Sequence, residues 1–503
     1  MYAAVKTAAL LGAQGHPLVV EVHVGVGIPG FTVVGLPDES CRESRDRVRA
    51  ALLSSELPWP NRRITVNLAG AGERKGGAAA DLAIAVALLV AQDVLSQESI
   101  EAHAFLAELG LDGSLRTVAG AAPMVSAVAM HDVVVSPGNH AEALIASPRQ
   151  LRAVDTLAHL VRCLRGDDAW PSVIQVEEQE DVYVVADLAE VSGQAWARHA
   201  LEISATGMHH LLLVGPPGAG KSMLARRLPG ILPALTHEDA LASAMVHSAA
   251  GVESAGALRT SPPFRSPHHS ASMVAMVGGG SSYMRPGEVS LASGGVLFLD
   301  EMGEFAPTVL DALRQPLEEG VIRLSRARHS LTMPAKFLLV GASNPCPCGD
   351  IRPGMCRCTD SDHRRYQRRF SGPLIDRFDL CVHVDRPSAD ALVHAGGGES
   401  TALVAARVLA ARKRAVDRQG CPNALLLHDQ LDIFAAITTQ ARALLHAELE
   451  KGILTGRGYH RIRRVARTLA DLANDNDVDR DHVDIALRMR SALVRPHEAG
   501  SYR

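Results

Sequence analysis

His210-Leu211-Leu212-Leu213-Val214-Gly215-Pro216-Pro217-Gly218-Ala219-Gly220-Lys221-Ser222 is the stretch from which the fold can be read. Its apolar run, closed by Gly and Pro, predicts a buried parallel strand. The pattern G-x-x-x-x-G-K-S comes next, and Met223 to Leu228 then has helical spacing. Strand, glycine loop and helix in that order are the context a phosphate-binding loop requires. Gly215, Gly218 and Gly220, with Pro216, Pro217 and Ala219 between them, let the backbone curl until its N–H groups point at an anion. The helix that follows turns its positive end to the same anion. Lys221 supplies a point charge to the β- and γ-phosphates, and Ser222 a hydroxyl to Mg²⁺.

A second apolar run, Gly294-Gly295-Val296-Leu297-Phe298-Leu299, ends in Asp300-Glu301. Asp300 is placed to hold Mg²⁺ through water, and Glu301 to orient and deprotonate the attacking water. The two stretches together predict Mg²⁺-dependent hydrolysis of ATP.

At 503 residues the chain exceeds a single core, so two to four domains are expected. The formal net charge of −4 excludes a globally basic nucleic-acid binder, and any such surface must be local. No N-terminal signal pattern is present. The most apolar run, Ala78 to Ala91, is short and carries Asp81, which predicts a core helix. The expectation is a cytoplasmic protein with no membrane partner, whose eight cysteines do not form structural disulfides.

Four of those cysteines cluster. Cys346-Pro347-Cys348 and Cys356-Arg357-Cys358 are C-x-C pairs joined by a seven-residue Gly/Pro loop, which brings four thiolates to one tetrahedral point. Structural Zn²⁺ is the expectation, with His363 as a substitute ligand; free thiols or a redox switch are the competing readings.

In chain order, Leu18–Val24, Phe31–Gly35 and Arg62–Leu68 read as strands, and Ser40–Leu53 as a helix. Ala104–Gly113 reads as one strand ending in an Asp-Gly turn, and Pro123–Met130 as a helix. Acidic, Pro-containing residues 166–187 read as a linker. Glu318 to Phe337 reads as a β-hairpin with a basic tip at Arg326 and Arg328.

Several phrases resemble the ComM/YifB group of magnesium-chelatase-like AAA+ ATPases. They are Pro60–Ala69, Glu108–Arg116, Pro263-Phe264-Arg265-Ser266-Pro267-His268-His269, Ser371-Gly372-Pro373-Leu374-Ile375-Asp376-Arg377-Phe378-Asp379-Leu380 and Thr455–Leu472. The resemblance spans nearly the whole chain. It implies an α/β fold: an AAA+ core with a parallel sheet between helices (188–387), an N-terminal Lon-protease-like α/β domain (1–165), a linker (166–187) and a C-terminal helical lid (388–503).

Site roles follow from the same resemblance. Val191, Gly193 and Gln194 would touch adenine, and Asn344 would bind the γ-phosphate and the attacking water. Arg377 would be an arginine finger acting on a neighbouring subunit, the competing reading being a pair with Asp376 or Asp379. Arg457 would be the sensor-2 arginine, with Arg461 and Arg464 as alternatives. The hairpin tip would pull on a DNA phosphate, and Met273–Gly287 matches an insertion that projects into a central pore. Adjacent His268 and His269 are expected to point to different sides, in a structural or DNA-facing role. A Lon-type peptidase needs a Ser nucleophile and a Lys base. Lys75–Asp81 contains no Ser, and the Lys position falls near Ala122, so the first domain reads as catalytically inactive. The implied function is a homo-hexameric DNA motor that drives branch migration as transforming DNA is integrated, with recombination proteins as partners. The alternatives are a chelatase subunit and a protein-remodelling machine.

Overall fold

The computed structural model describes residues 1–35, 39–70, 78–172, 186–252, 258–280, 284–326, 329–349, 356–387, 398–452 and 454–490. The first unit is a seven-stranded mixed sheet in the order β3-β4-β2-β1-β5-β8-β9. Its strands are β1 (Tyr2–Leu11), β2 (Gln14–Gly25), β3 (Gly30–Val34), β4 (Arg63–Ala69), β5 (His103–Leu106), β8 (Asp132–Val135) and β9 (Gln150–Ala153). The helix Asp81–Ala91 is buried at all of its residues. Its only ionisable group, Asp81, accepts from Arg47 Nε at 2.6 Å and from the Ser44 hydroxyl.

The expected strand Ala104–Gly113 is divided. Ala107 turns its backbone to the start of the buried helix, donating to Ala79 O and accepting from Leu82 N, both at 3.2 Å. Beyond it a small hairpin forms from β6 (Glu108–Leu109) and β7 (Leu115–Arg116), closed by the Asp112-Gly113 turn. The helix expected at Pro123–Met130 spans Ala121–Ala127, because Gly120 enters it from a left-handed conformation and Val128 ends it. Of the linker, residues 173–185 lie outside the described residues.

The second unit is built on five strands: β10 (Leu211–Val214), β11 (Phe264–Arg265), β12 (Val296–Leu299), β15 (Leu338–Ser343) and β16 (Leu380–His383). They lie in the order β11-β12-β15-β10-β16, and every neighbouring pair is parallel. One face packs against Ala195–Gly207 and the C-terminal helices Thr401–Gln419, Thr439–Glu450, Gly456–Ala473 and Arg480–Arg488. The other face carries Phe305, Leu310 and Leu313, and the foot of an antiparallel hairpin of β13 (Val321–Arg326) and β14 (His329–Pro334). Among the described residues no helix is long and apolar enough to cross a membrane.

The two units touch through the helix His237–Ala250. Ser248 Oγ receives the N–H of Ala122 at 3.3 Å and donates to Glu142, while Leu10 and Ala13 pack on Val246 and Ala249. The position where a Lon-type lysine would fall, near Ala122, is therefore buried under the second unit. Residues 71–77 lie outside the described residues.

Candidate nucleotide and metal sites

Because the five strands are parallel, the chain leaves each of them on the same edge, and the candidate site is assembled there. Gly215 leaves β10 so close to β16 that a Cβ would sit 2.0 Å from Val384 O. Gly218 and Gly220 take left-handed φ values of +76° and +89°, which favour glycine. The curl places Lys221 under its own loop: Nζ donates to Gly215 O (2.6 Å), Pro216 O (3.0 Å) and Asn344 Oδ1 (3.1 Å). Burial lowers the pKa of Lys221, opposed by the charges of Asp300 and Glu301. Ser222 Oγ donates to Asp300 Oδ2 at 2.6 Å, so the two expected Mg²⁺ contacts already meet. Asp300 Oδ1 accepts the N–H of Glu301 at 2.9 Å. That bond accompanies a left-handed backbone at Glu301 (φ +48°), a conformation that costs a non-glycine residue about 1–3 kcal/mol. Residues 217–222, Asp300, Glu301 and Asn344 line one cavity of about 410 Å³.

Val191, Gly193 and Gln194 lie behind this loop and do not line the cavity. Val191 is buried, and the Gln194 amide donates to Ala219 O (3.2 Å) and Asp385 O.

The arginines occupy the other edge of the sheet. Asp379 and Leu380 donate their N–H groups to His210 O, and His210 N donates back to Asp379 Oδ2 at 3.2 Å. His210 precedes β10 whereas the phosphate loop follows it, so about 13 Å of strand separates Arg377 from its own loop. Asp379 is paired with Arg461 Nη1 at 2.6 Å, and Arg377 with Glu318, so neither Asp376 nor Asp379 is the ion-pair partner of Arg377. Arg464 Nε is committed to Leu426 O at 2.8 Å. Arg457 is exposed at the start of its helix, close enough to Arg377 to depress its pKa, after burial and Arg461. Neither Arg377 nor Arg457 lines the nucleotide cavity.

Asn344 is followed at once by the cysteines. Cys346 Sγ lies 3.3 Å from Cys348 Sγ and 3.9 Å from Cys356 Sγ, and Cys348 lies 3.6 Å from Cys356. With Cys358 the four sulfurs fall within 4.8 Å of one another. A tetrahedral site with Zn–S bonds of ~2.3 Å has edges of about 3.8 Å, so the donor set fits zinc. His363 Nε2 is 3.4 Å from Cys356 Sγ, on the rim of the cluster. Without a cation, burial pushes the Cys346 thiol up to about 12. A Cβ on Gly349 would lie 2.8 Å from Pro217 Cδ, so the cysteine turn rests on the phosphate loop.

Arg328 lies outside the described residues, and of Arg326 only the backbone is described, paired with His329. The expectation that His268 and His269 diverge is not met: their rings are 4.1 Å apart. Sequence reading missed three contacts. Glu318 is the partner of Arg377, His269 stands beside Glu301, and the Tyr366 hydroxyl lies 3.1 Å from Ser343 Oγ. Only the histidine had a sequence signal, since it belongs to the phrase Pro263-Phe264-Arg265-Ser266-Pro267-His268-His269.

Parallel sheet, phosphate loop, strand-end carboxylates and helical C-terminal unit define an AAA+ ATPase of the magnesium-chelatase type. Residues 187–392 match the family described as magnesium chelatase, subunit ChlI; 20–139 match subunit ChlI of Mg-chelatase; and 398–490 match its C-terminal domain. The chain is 42% identical over 492 residues to the uncharacterized protein YifB of Salmonella typhimurium, covering 97% of each. It is 41% identical over 500 residues to the competence protein ComM of Haemophilus influenzae, covering 98% of each. A shorter match, 24% identical over 190 residues, links 37% of the chain to 24% of a probable DNA helicase, MCM9, of Arabidopsis thaliana. The chain belongs to the ComM/YifB family of magnesium-chelatase-like proteins.

Two outcomes are expected at these sites. Lys221→Ala abolishes ATP binding, whereas Glu301→Gln binds ATP and does not hydrolyse it; equilibrium binding and phosphate release measure the two steps. Protein purified under reducing, chelator-free conditions carries about one Zn²⁺ per chain by elemental analysis, and Cys346→Ser loses it.

Proposed function

We propose that this protein is an ATP-driven, homo-hexameric DNA motor that promotes branch migration during integration of transforming DNA. The observation that carries the reading is the division of ATPase parts between the two edges of one sheet. Lys221, Ser222, Asp300, Glu301 and Asn344 stand at one edge, and Arg377 and Arg457 at the other. Among the described residues no arginine lines the chain's own phosphate cavity, Arg386 meeting the loop only at Pro217 O, and Arg377 and Arg457 would be offered to a neighbour's. Repeating that head-to-tail contact closes a ring.

In the reading we favour, Lys221 leaves the loop carbonyls for the β- and γ-phosphates, and Ser222 and Asp300 hold Mg²⁺. Val191, Gly193 and Gln194 border the adenine. Glu301 takes a proton from the attacking water while Asn344 holds that water and the γ-phosphate. Arg377 of an adjacent subunit balances the charge that develops, with Arg457 beside it. Zn²⁺ held by Cys346, Cys348, Cys356 and Cys358 would brace the Asn344 turn against the loop. The first unit serves assembly, without peptidase chemistry.

DNA as the substrate is supported by the basic hairpin tip, the competence protein among the relatives and the match to a probable helicase. A protein of net charge −4 needs such a local feature to hold a phosphate backbone. The hairpin also begins beside Glu318, the partner of Arg377, so finger and hairpin share a support.

Two experiments test the reading. Rings mixed from Lys221→Ala and Arg377→Ala subunits regain ATPase activity that neither variant has alone; no recovery in rings shown to contain both removes the finger in trans. Arg326→Ala with Arg328→Ala keeps basal ATPase and ring assembly and loses DNA stimulation and strand displacement. The salt slope of its DNA binding flattens by roughly one to two units. A wild-type ring whose ATPase ignores single-stranded, forked and branched DNA contradicts the motor and favours a chelatase or protein remodeller.

A further inference from the structure

The turn Pro267-His268-His269 has no role in the mechanism above, and the sheet topology gives it one. It follows β11, the edge strand paired with β12. Both strands run the same way, so the chain leaves β11 on the edge that carries the phosphate loop. There His269 Nδ1 lies 3.6 Å from Oε2 of Glu301. The imidazole is held on two sides. His268 packs against it with the rings tilted by 34° and their centroids 4.1 Å apart, and buried Phe305 meets it edge-on at 6.5 Å. His268 is itself restrained: its Nδ1 accepts the backbone N–H of Ser270 at 3.3 Å and lies 2.8 Å from the Ser270 hydroxyl.

The two carboxylates at the end of β12 are held very differently. Asp300 is anchored at both oxygens, by Ser222 and by the N–H of Glu301. The Glu301 side chain is largely exposed, and among the described residues no other side chain is paired with its carboxylate. A general base must be held at a defined distance and angle from the proton it takes, and a misplacement of about 1 Å can cost a hundredfold in rate. His269 does not line the nucleotide cavity, so it reaches the chemistry only through Glu301.

We propose that His269 is the positioning residue for Glu301, its imidazole holding the carboxylate in the direction of the attacking water. The inference rests on the reading of Glu301 as the general base. It assigns the histidine pair a task in hydrolysis: His269 touches the base, and His268 braces His269.

The test uses the full-length chain with His269→Ala, His269→Gln, Glu301→Gln and the double variant His269→Ala/Glu301→Gln. Steady-state ATPase and binding of a slowly hydrolysed thiophosphate analogue of ATP are measured. For His269→Ala, kcat falls roughly tenfold, while KM and analogue binding stay within about twofold of wild type. His269→Gln, whose amide can donate to the same carboxylate, recovers most of the loss. The residual hydrolysis of Glu301→Gln, followed over long single-turnover incubations, is not slowed further in the double variant, because a positioning residue has nothing left to position. The proposal is overturned by a His269→Ala kcat near wild type, by a parallel loss of nucleotide binding, by equal defects in the Ala and Gln variants, or by additive losses in the double variant. A Glu301→Gln chain that hydrolyses ATP normally removes the base assignment and this proposal with it. A dead Glu301→Gln beside an unaffected His269→Ala removes this proposal alone.

Discussion

Strands that run parallel must all end on the same edge of their sheet, and most of this molecule's organisation depends on that constraint. It collects Lys221, Asp300, Glu301 and Asn344, residues up to 123 positions apart in sequence, into one cavity wall. It equally sends whatever precedes a strand to the opposite edge. Arg377 precedes β16, and its loop is clamped to His210 ahead of β10. The proposed ring follows from this division: a sheet that separates the phosphate loop from its arginine by the length of a strand calls on a second copy.

The charged groups of the site are held in a waiting arrangement. Lys221 is desolvated, and its ammonium is satisfied by two carbonyls and an amide oxygen. Burying a cation without a full countercharge disfavours its charged form, and an arriving phosphate reverses that balance. At the other edge Asp379 is buried, yet its carboxyl stays well below the usual carboxylate range, with Arg461, His209 and His210 around it offsetting the cost of burial. This cluster pins the segment carrying Arg377 to the start of β10 and to the helix Gly456–Ala473, so the sheet and the C-terminal helices are joined by both apolar and ionic contacts.

Three attachments tie segments of the second unit to one another and to the first unit. The cysteine turn leans on Pro217, the helix Arg314–Glu319 ahead of the hairpin carries the partner of Arg377, and Ser248 ties the helix His237–Ala250 to the first unit. Each is a short-range contact between segments far apart in sequence.

Local chemistry determined a good part of this protein without any structure. The strand–loop–helix order, the glycine positions, the strand ending in Asp300-Glu301 and the buried character of Ala78–Ala91 were all readable, because each depends on neighbours within one turn or one strand. The ComM/YifB resemblance was readable for the same reason, in runs of adjacent residues. Tertiary structure alone decided which edge of the sheet each group occupies, that Arg377 pairs with Glu318 and Asp379 with Arg461, and that His269 stands beside Glu301. It also decided where the strand from Ala104 breaks, since Ala107 is turned by a helix that begins more than twenty residues earlier. Strand order sets these contacts, and strand order comes from packing apolar faces together. That is a property of the whole chain, and no window of its sequence contains it.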